Sequence, residues 1–199
     1  MITVICGDYD DGVTFWGFHE ILTRLVKGRR VVTNVKIFKQ HYTNIYINQK
    51  LRNKRRKYDP SQLVLLNEAE LGKPSWDATY RSRKTTFVIW ETPSLSDNAY
   101  YNSLPYAPSR RFFCGAEWIF CVRNPLSTFG KNCFDNCNYA IRVQEDFFSD
   151  HNLFEVEIMR GVCSNGRMFC KNVSYEYDSP LLADSHAFWL ASHVGDEEE

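Results

Sequence analysis

The sequence predicts one mixed α+β domain with more strand than helix. Residues 2–6, 85–91 and 112–122 are short runs rich in β-branched and aromatic side chains, which is typical of strands. Residues 18–27 repeat apolar side chains at helical spacing, and Gly28 follows as a C-cap. We therefore expect residues 1–195 to form a single domain and residues 196–199 to form an acidic tail.

Turn signals place the remaining elements. The Asp-Asp-Gly run at 10–12 predicts a tight turn with a return strand over 13–15. Residues 31–38 and 154–158 have strand patterns, residues 63–71 predict a short helix, and the apolar stretch 181–194 fits helix or strand. Asn165-Gly166 predicts a hairpin turn because both residues tolerate positive φ.

Composition favours a protein that assembles over one that catalyses. Aromatic residues make up 15% of the 199 residues, and the formal net charge is zero at pH 7. Tyr, Trp and Phe bury large areas at interfaces, and copies of a chain with zero net charge do not repel each other overall. No apolar run is long enough to span a membrane, and the N-terminus has no basic region before its short apolar run, so we expect neither a membrane partner nor a secretory signal.

Seven cysteines leave three interpretations open. They fit reduced, partly buried thiols, an odd cysteine that bridges two molecules, or a weak zinc site at Cys133 and Cys137. The candidates for an intermolecular disulfide are Cys6, Cys114, Cys133 and Cys137. Because the paired spacing of structural zinc sites is missing, we expect no metal centre.

A phosphate-loop spacing begins at Gly7. Gly7 and Gly12 are five apart and Thr14 follows, but the lysine position holds Val13 and the three aspartates of the stretch would repel a triphosphate. In the later hydrophobic run 87–91, Trp90 stands where a Walker B strand carries its magnesium-binding Asp. We expect no hydrolysis; the alternative interpretation of residues 7–14 is an acidic turn between two strands or from strand to helix.

The same region carries a first family resemblance. With its Gly-Arg-Arg-Val-Val-Thr-Asn run at 28–34, the start of the chain resembles the N-terminal region of zonula-occludens-toxin-like phage assembly ATPases. The resemblance implies a degenerate P-loop protein that binds partners without hydrolysis, with bound nucleotide as an open alternative to no cofactor.

Other motifs indicate no enzyme. The five histidines form no metal-binding or Cys–His signature, so we expect no catalytic residues. The basic run Lys54, Arg55, Arg56 and Lys57 is a candidate nuclear-localisation signal, with a plain solvated loop as the alternative. Because it has no basic neighbours and the chain is neutral, we expect no specific nucleic-acid partner.

A second resemblance covers more of the chain. Residues 70–79, with their Pro-Ser-Trp-Asp-Ala-Thr run, are similar to a stretch of insect cypovirus polyhedrins, and residues 134–142 resemble the short Cys-containing helix of those proteins. Residues 188–192 are similar to their last strand, and the basic run 54–57 resembles the nuclear signal of baculovirus polyhedrins.

This resemblance implies a fold and a function. Polyhedrins, the matrix proteins of cypovirus, baculovirus and nudivirus type, form an antiparallel β-sandwich with flanking helices. They pack as homotrimers into a crystalline occlusion body around virions, in the nucleus or cytoplasm of the infected cell. The resemblance therefore predicts a structural, self-assembling, non-enzymatic protein that is stable at neutral pH. The eleven tyrosines ionise at alkaline pH while lysines lose charge, so we expect the assembly to dissolve there.

Overall fold

Strands and helices alternate along the first two thirds of the chain. The computed structural model describes residues 1–7, 10–35, 47–48, 58–109, 115–143, 153–161 and 168–176. The strands are β1 (Ile2–Gly7), β2 (Arg30–Thr33), β3 (Leu63–Leu65), β4 (Thr85–Trp90), β5 (Glu117–Val122), β6 (Tyr139–Val143), β7 (Leu153–Gly161) and β8 (Met168–Glu176). The α-helices are α1 (Asp10–Val26), α2 (Glu68–Leu71), α3 (Ala99–Ser103) and α4 (Thr128–Asn136). Short 3-10 helices lie at Pro60–Gln62, Trp76–Tyr80, Pro93–Leu95 and Leu104–Ser109.

These strands form one sheet in the order β3-β2-β4-β5-β1-β6-β7-β8. The six strands from β3 to β6 are parallel, while β7 and β8 extend the sheet as an antiparallel pair. The predicted antiparallel β-sandwich is therefore wrong. Parallel neighbours need crossover connections, and α-helices lie in the described connections from β1 to β2, β3 to β4, β4 to β5 and β5 to β6, which gives an α/β fold.

The central strands are buried along their whole length. Every residue of β4 is buried, as are all but one residue in each of β1 and β5. Helices cover both faces of a parallel sheet, so its strands read as continuous apolar runs and not as alternating ones. In β4, Val88 and Trp90 face α1, whereas Phe87 and Ile89 face the side of the sheet on which α4 packs.

Helix α1 covers one face of the sheet, and its buried apolar side chains form part of what we call the α1-side core. Its residues Phe18, Ile21, Leu22 and Leu25 are fully buried, a spacing that puts all four on one helical face. Burying each such side chain is worth about 1.5–3 kcal/mol. The helix ends at Val26, and Gly28 follows with a φ of 75°, a conformation that favours glycine.

The opposite face carries the α4-side core. Trp118 of β5 lies at its centre, stacked on Phe87 with ring centroids 4.1 Å apart. Phe129 of α4 stacks on Tyr101 of α3 at 4.4 Å. Ser127 caps α4 by accepting a hydrogen bond from the Gly130 amide at 2.9 Å, so the helix begins shortly after β5.

Several local predictions are confirmed and two are wrong. β1, β4 and the strand at 154–158 are where the sequence puts them, and the helix at 18–27 coincides with the second half of α1. The turn at 10–12 and its return strand are wrong because α1 already begins at Asp10. The helix over 63–71 is half wrong, since residues 63–65 form β3 and only Glu68–Leu71 is helical. The turn at 165–166, the segment 181–194 and the tail 196–199 lie outside the described residues.

Candidate functional site

The carboxyl ends of β1, β4 and β5 meet at one edge of the sheet. In open α/β sheets, ligands bind outside this edge, so it is the first place to look for a site. Gly7 ends β1, Trp90 ends β4, and Val122 ends β5, with β5 between the other two strands. Both motifs that the sequence offered for nucleotide chemistry lie at this edge.

The start of α1 takes up part of the phosphate-loop spacing that the sequence shows at 7–14. Only residues 8 and 9 lie between Gly7 and the start of α1 at Asp10, so Gly12 belongs to the first turn of the helix. Val13 is 1% exposed and packs in the α1-side core with Ile5. β1 is therefore followed by a helix and not by a return strand, and the side chain at the lysine position is directed into the core. The connecting residues 8 and 9 lie outside the described residues.

Trp90 fills space against α1. Its side chain is 5% exposed, and its ring lies 6.1 Å from that of Phe18 between centroids. A β-carbon added to Gly17 would lie 2.2 Å from Cζ2 of Trp90, so helix and indole are in direct contact. An indole in this position binds no magnesium ion, and the glycine in α1 admits the ring.

Glu91, which directly follows β4, accepts three hydrogen bonds. The backbone amides of Arg123 and Asn124 donate to its Oε2 at 2.8 and 2.7 Å. The Ser127 hydroxyl donates to its Oε1 at 2.5 Å. Its carboxylate therefore fixes the connection from β5 to α4 and is already well supplied with donors.

A second network joins the ends of β2 and β4. The Asn34 side chain accepts from the Trp90 amide at 2.8 Å and donates to the Trp90 carbonyl at 3.0 Å. The buried Tyr101 hydroxyl accepts from the Thr92 amide at 2.9 Å and donates to the same carbonyl at 3.1 Å. Burial raises the pKa of Tyr101, so the phenol stays neutral. Sequence reasoning assigned no role to Asn34, Tyr101 or Glu91. Asn34 ends the run 28–34 and Glu91 ends the hydrophobic run 87–91, whereas no motif marks Tyr101.

A third polar cluster lies at the opposite, amino-terminal edge. Arg24 of α1 donates from Nε and Nη2 to the two carboxylate oxygens of Glu117, both at 2.8 Å, and Thr86 donates to the same carboxylate at 3.1 Å. Burial acts to raise the pKa of Glu117, but the hydrogen bonds and charge of Arg24 outweigh it and lower that pKa. This cluster joins α1 to β5, which is a structural role.

The cysteine candidates are buried where the structure describes them. Cys6, Cys133 and Cys137 are 6%, 0% and 5% exposed, and Cys114 lies outside the described residues. Burial raises the pKa of Cys133, which makes its thiol a poor nucleophile. An intermolecular disulfide at any of the four candidates stays a prediction.

Other predicted features are placed or left open as follows. The basic run at 54–57 lies outside the described residues. Within the described ranges, no group of three metal-ligating side chains comes together, and no helix is long and apolar enough to cross a membrane. Burial lowers the pKa of His19 to about 4, with smaller contributions from Arg24 and Lys27, so this imidazole is neutral at physiological pH.

Comparison with known proteins adds no assignment. No family model matches the chain, and no curated protein matches it in sequence. The geometry of the carboxyl edge is therefore the basis for proposing a function.

Proposed function

We propose that this chain is a P-loop-type protein that has lost nucleotide hydrolysis and acts as a binding subunit in assembly, of the kind its N-terminal resemblance to phage assembly ATPases implies. The observation that carries the proposal is Val13. It occupies the lysine position of a strand–helix connection at the carboxyl edge of a parallel sheet, and it is buried in the core. A P-loop needs that lysine at the β- and γ-phosphates.

The surrounding polar groups support the absence of catalysis. An active site contains polar groups that can hydrogen-bond to a substrate. Here Glu91, Asn34 and Tyr101 each form hydrogen bonds with neighbouring protein atoms. Trp90 packs where a metal-binding carboxylate is needed. The hydrogen bonds of these polar side chains stabilise the carboxyl edge of the sheet, which is consistent with a rigid binding scaffold.

Matrix formation stays a prediction with weaker support. The polyhedrin resemblance implies an antiparallel β-sandwich. The parallel sheet contradicts that fold, so the resemblance supports matrix formation less strongly. The homotrimer, the enclosed virions and the occlusion-body location stay predictions with it. The parallel sheet favours the phage-assembly alternative because a P-loop stands between a parallel strand and a helix.

Two measurements test the proposal. We expect no hydrolysis of ATP or GTP with Mg²⁺ and no nucleotide-dependent rise in melting temperature. We also expect a stable complex when the purified chain is mixed with the products of genes neighbouring its own, with heat-unfolded chain as the control. Nucleotide turnover above that of the heat-unfolded chain would overturn the loss of hydrolysis. If the chain binds none of these neighbouring gene products, the binding role is wrong.

A further inference from the structure

Helix α4 presents an exposed stripe to solvent. Thr128, Lys131 and Asp135 are exposed and spaced three and four apart, so they lie on one face. The opposite face, formed by Phe129, Gly130 and Cys133, is buried against the sheet. This division makes α4 an amphipathic helix with one covered side and one open side.

The open side carries two opposite charges one turn apart. Lys131 and Asp135 are separated by about 6 Å along the helix axis. Within the described part of the chain, neither side chain forms an ion pair. Each is therefore available to a charge of opposite sign from another molecule.

An aromatic ring borders this stripe. Tyr106 is 38% exposed, and its hydroxyl donates to Oδ1 of Asn132 at 2.7 Å, which fixes the ring beside α4. Tyrosine is enriched among residues that dominate binding energy at interfaces. We name Tyr106, Thr128, Lys131, Asn132 and Asp135 the α4 patch.

We propose that the α4 patch is the docking site for a second copy of this chain. Consider two antiparallel copies of α4 related by a two-fold axis that crosses the exposed face midway between positions 131 and 135. This arrangement places Lys131 of each copy opposite Asp135 of the other. The pattern is thus self-complementary, which a two-fold interface requires. Asn132 and Tyr106 border the same pairs, where a rigid aromatic ring can add to the contact.

Charge and size set the strength of the contact. The formal net charge of zero means that two copies approach without overall repulsion. A helix of nine residues contributes a small interface, and interfaces below about 1,200 Å² belong to weak, transient complexes. The dimer is therefore weak and forms reversibly. This inference is independent of whether nucleotide binds.

Charge reversal at the two positions tests the geometry. Sedimentation of the parent over a concentration series should show a reversible monomer–dimer equilibrium. Lys131→Glu and Asp135→Lys each turn two attractive pairs into repulsive ones, so each should raise the dimer Kd about ten-fold or more. The double variant restores opposite charges across the axis and should return the Kd to within about three-fold of the parent.

A matched control separates local pairing from total charge. Lys73→Glu changes the net charge by the same amount at an exposed position after α2 and should leave the Kd unchanged. Circular dichroism checks that each variant folds. A chain that sediments only as a monomer overturns the proposal, and so does a double variant no better than the single ones.

Discussion

Gly17→Ala tests the direct contact between helix α1 and the Trp90 indole. Gly17 lies in the interior of α1, where a change to Ala normally stabilises a protein by about 1 kcal/mol. Here the new β-carbon would lie 2.2 and 2.6 Å from Cζ2 and Cη2 of Trp90 and 2.9 Å from Sγ of Cys121. Carbon atoms pack best about 3.5–4.0 Å apart, so either the helix or the indole must move.

The expected magnitude follows from these opposing terms. Overpacking a core costs about 1–3 kcal/mol, and three contacts below 3.0 Å put this case at the upper end. After subtraction of the helix-propensity gain, Gly17→Ala should lower the free energy of unfolding by about 2 kcal/mol. For a chain of this size, the melting temperature should fall by about 4–8 °C.

The assay is urea unfolding of four proteins in a double-mutant cycle. Trp90→Phe removes the outer ring atoms that meet the added carbon, so it should cost less in the Gly17→Ala background than in the parent, by about 1 kcal/mol or more. Gly72→Ala is the control, since its added carbon would approach no heavy atom closer than 3.1 Å. A rise in melting temperature on Gly17→Ala would refute a close contact between Gly17 and the Trp90 indole. Additive effects of the two substitutions in the cycle would refute it as well.

Four further outcomes follow from the described contacts. Gly130→Ala should destabilise the β5–α4 connection by about 1–3 kcal/mol in urea, because its β-carbon would lie 2.4 Å from the Asn124 carbonyl oxygen. Glu91→Gln should cost about 1.5–3 kcal/mol by the same assay, since charge-assisted hydrogen bonds are lost; an unchanged midpoint would contradict its role. Burial raises the pKa of Tyr58 to about 12, so stability present below pH 10 should be lost as the pH rises through 12, and less so in Tyr58→Phe. The lowered pKa of His19 means that stability present above pH 6.5 should fall as the pH drops from there to about 4, a loss that His19→Gln should reduce.

The local elements were predictable where periodicity was strong. Phe18, Ile21 and Leu25 mark α1, and the β-branched run of β1 marks a strand. The start of α1 was missed because Asp-Asp-Gly is also the chemistry of a turn. Aspartate is equally compatible with a helix N-terminus, where carboxylates offset the helix dipole, and packing of Val13 and Trp16 decided between the two.

The error in fold class has an identifiable source. β4 reads Thr-Thr-Phe-Val-Ile-Trp, a run without alternation, and such a run is typical of a strand covered on both faces. A sandwich strand would alternate, so the sequence carried the signal for a parallel sheet. The partner strands were not predictable, because the pairing of β1 with β5 and β6 joins segments more than a hundred residues apart.

The carboxyl edge holds Val13 and Trp90 at the two positions where a nucleotide-hydrolysing site would carry a lysine and an aspartate. A buried lysine at position 13 would need a charged partner, and a carboxylate at position 90 would face the backbone of α1 at Gly17; both cost stability without a bound ion. Val13 and Trp90 remove those costs by packing in the α1-side core. At the same edge, two amides and a hydroxyl donate to the Glu91 carboxylate, so this polar group is satisfied within the protein. Introducing a lysine at 13 and an aspartate at 90 should therefore destabilise the protein and give no hydrolysis, since α1 already begins at Asp10, inside the phosphate-loop spacing.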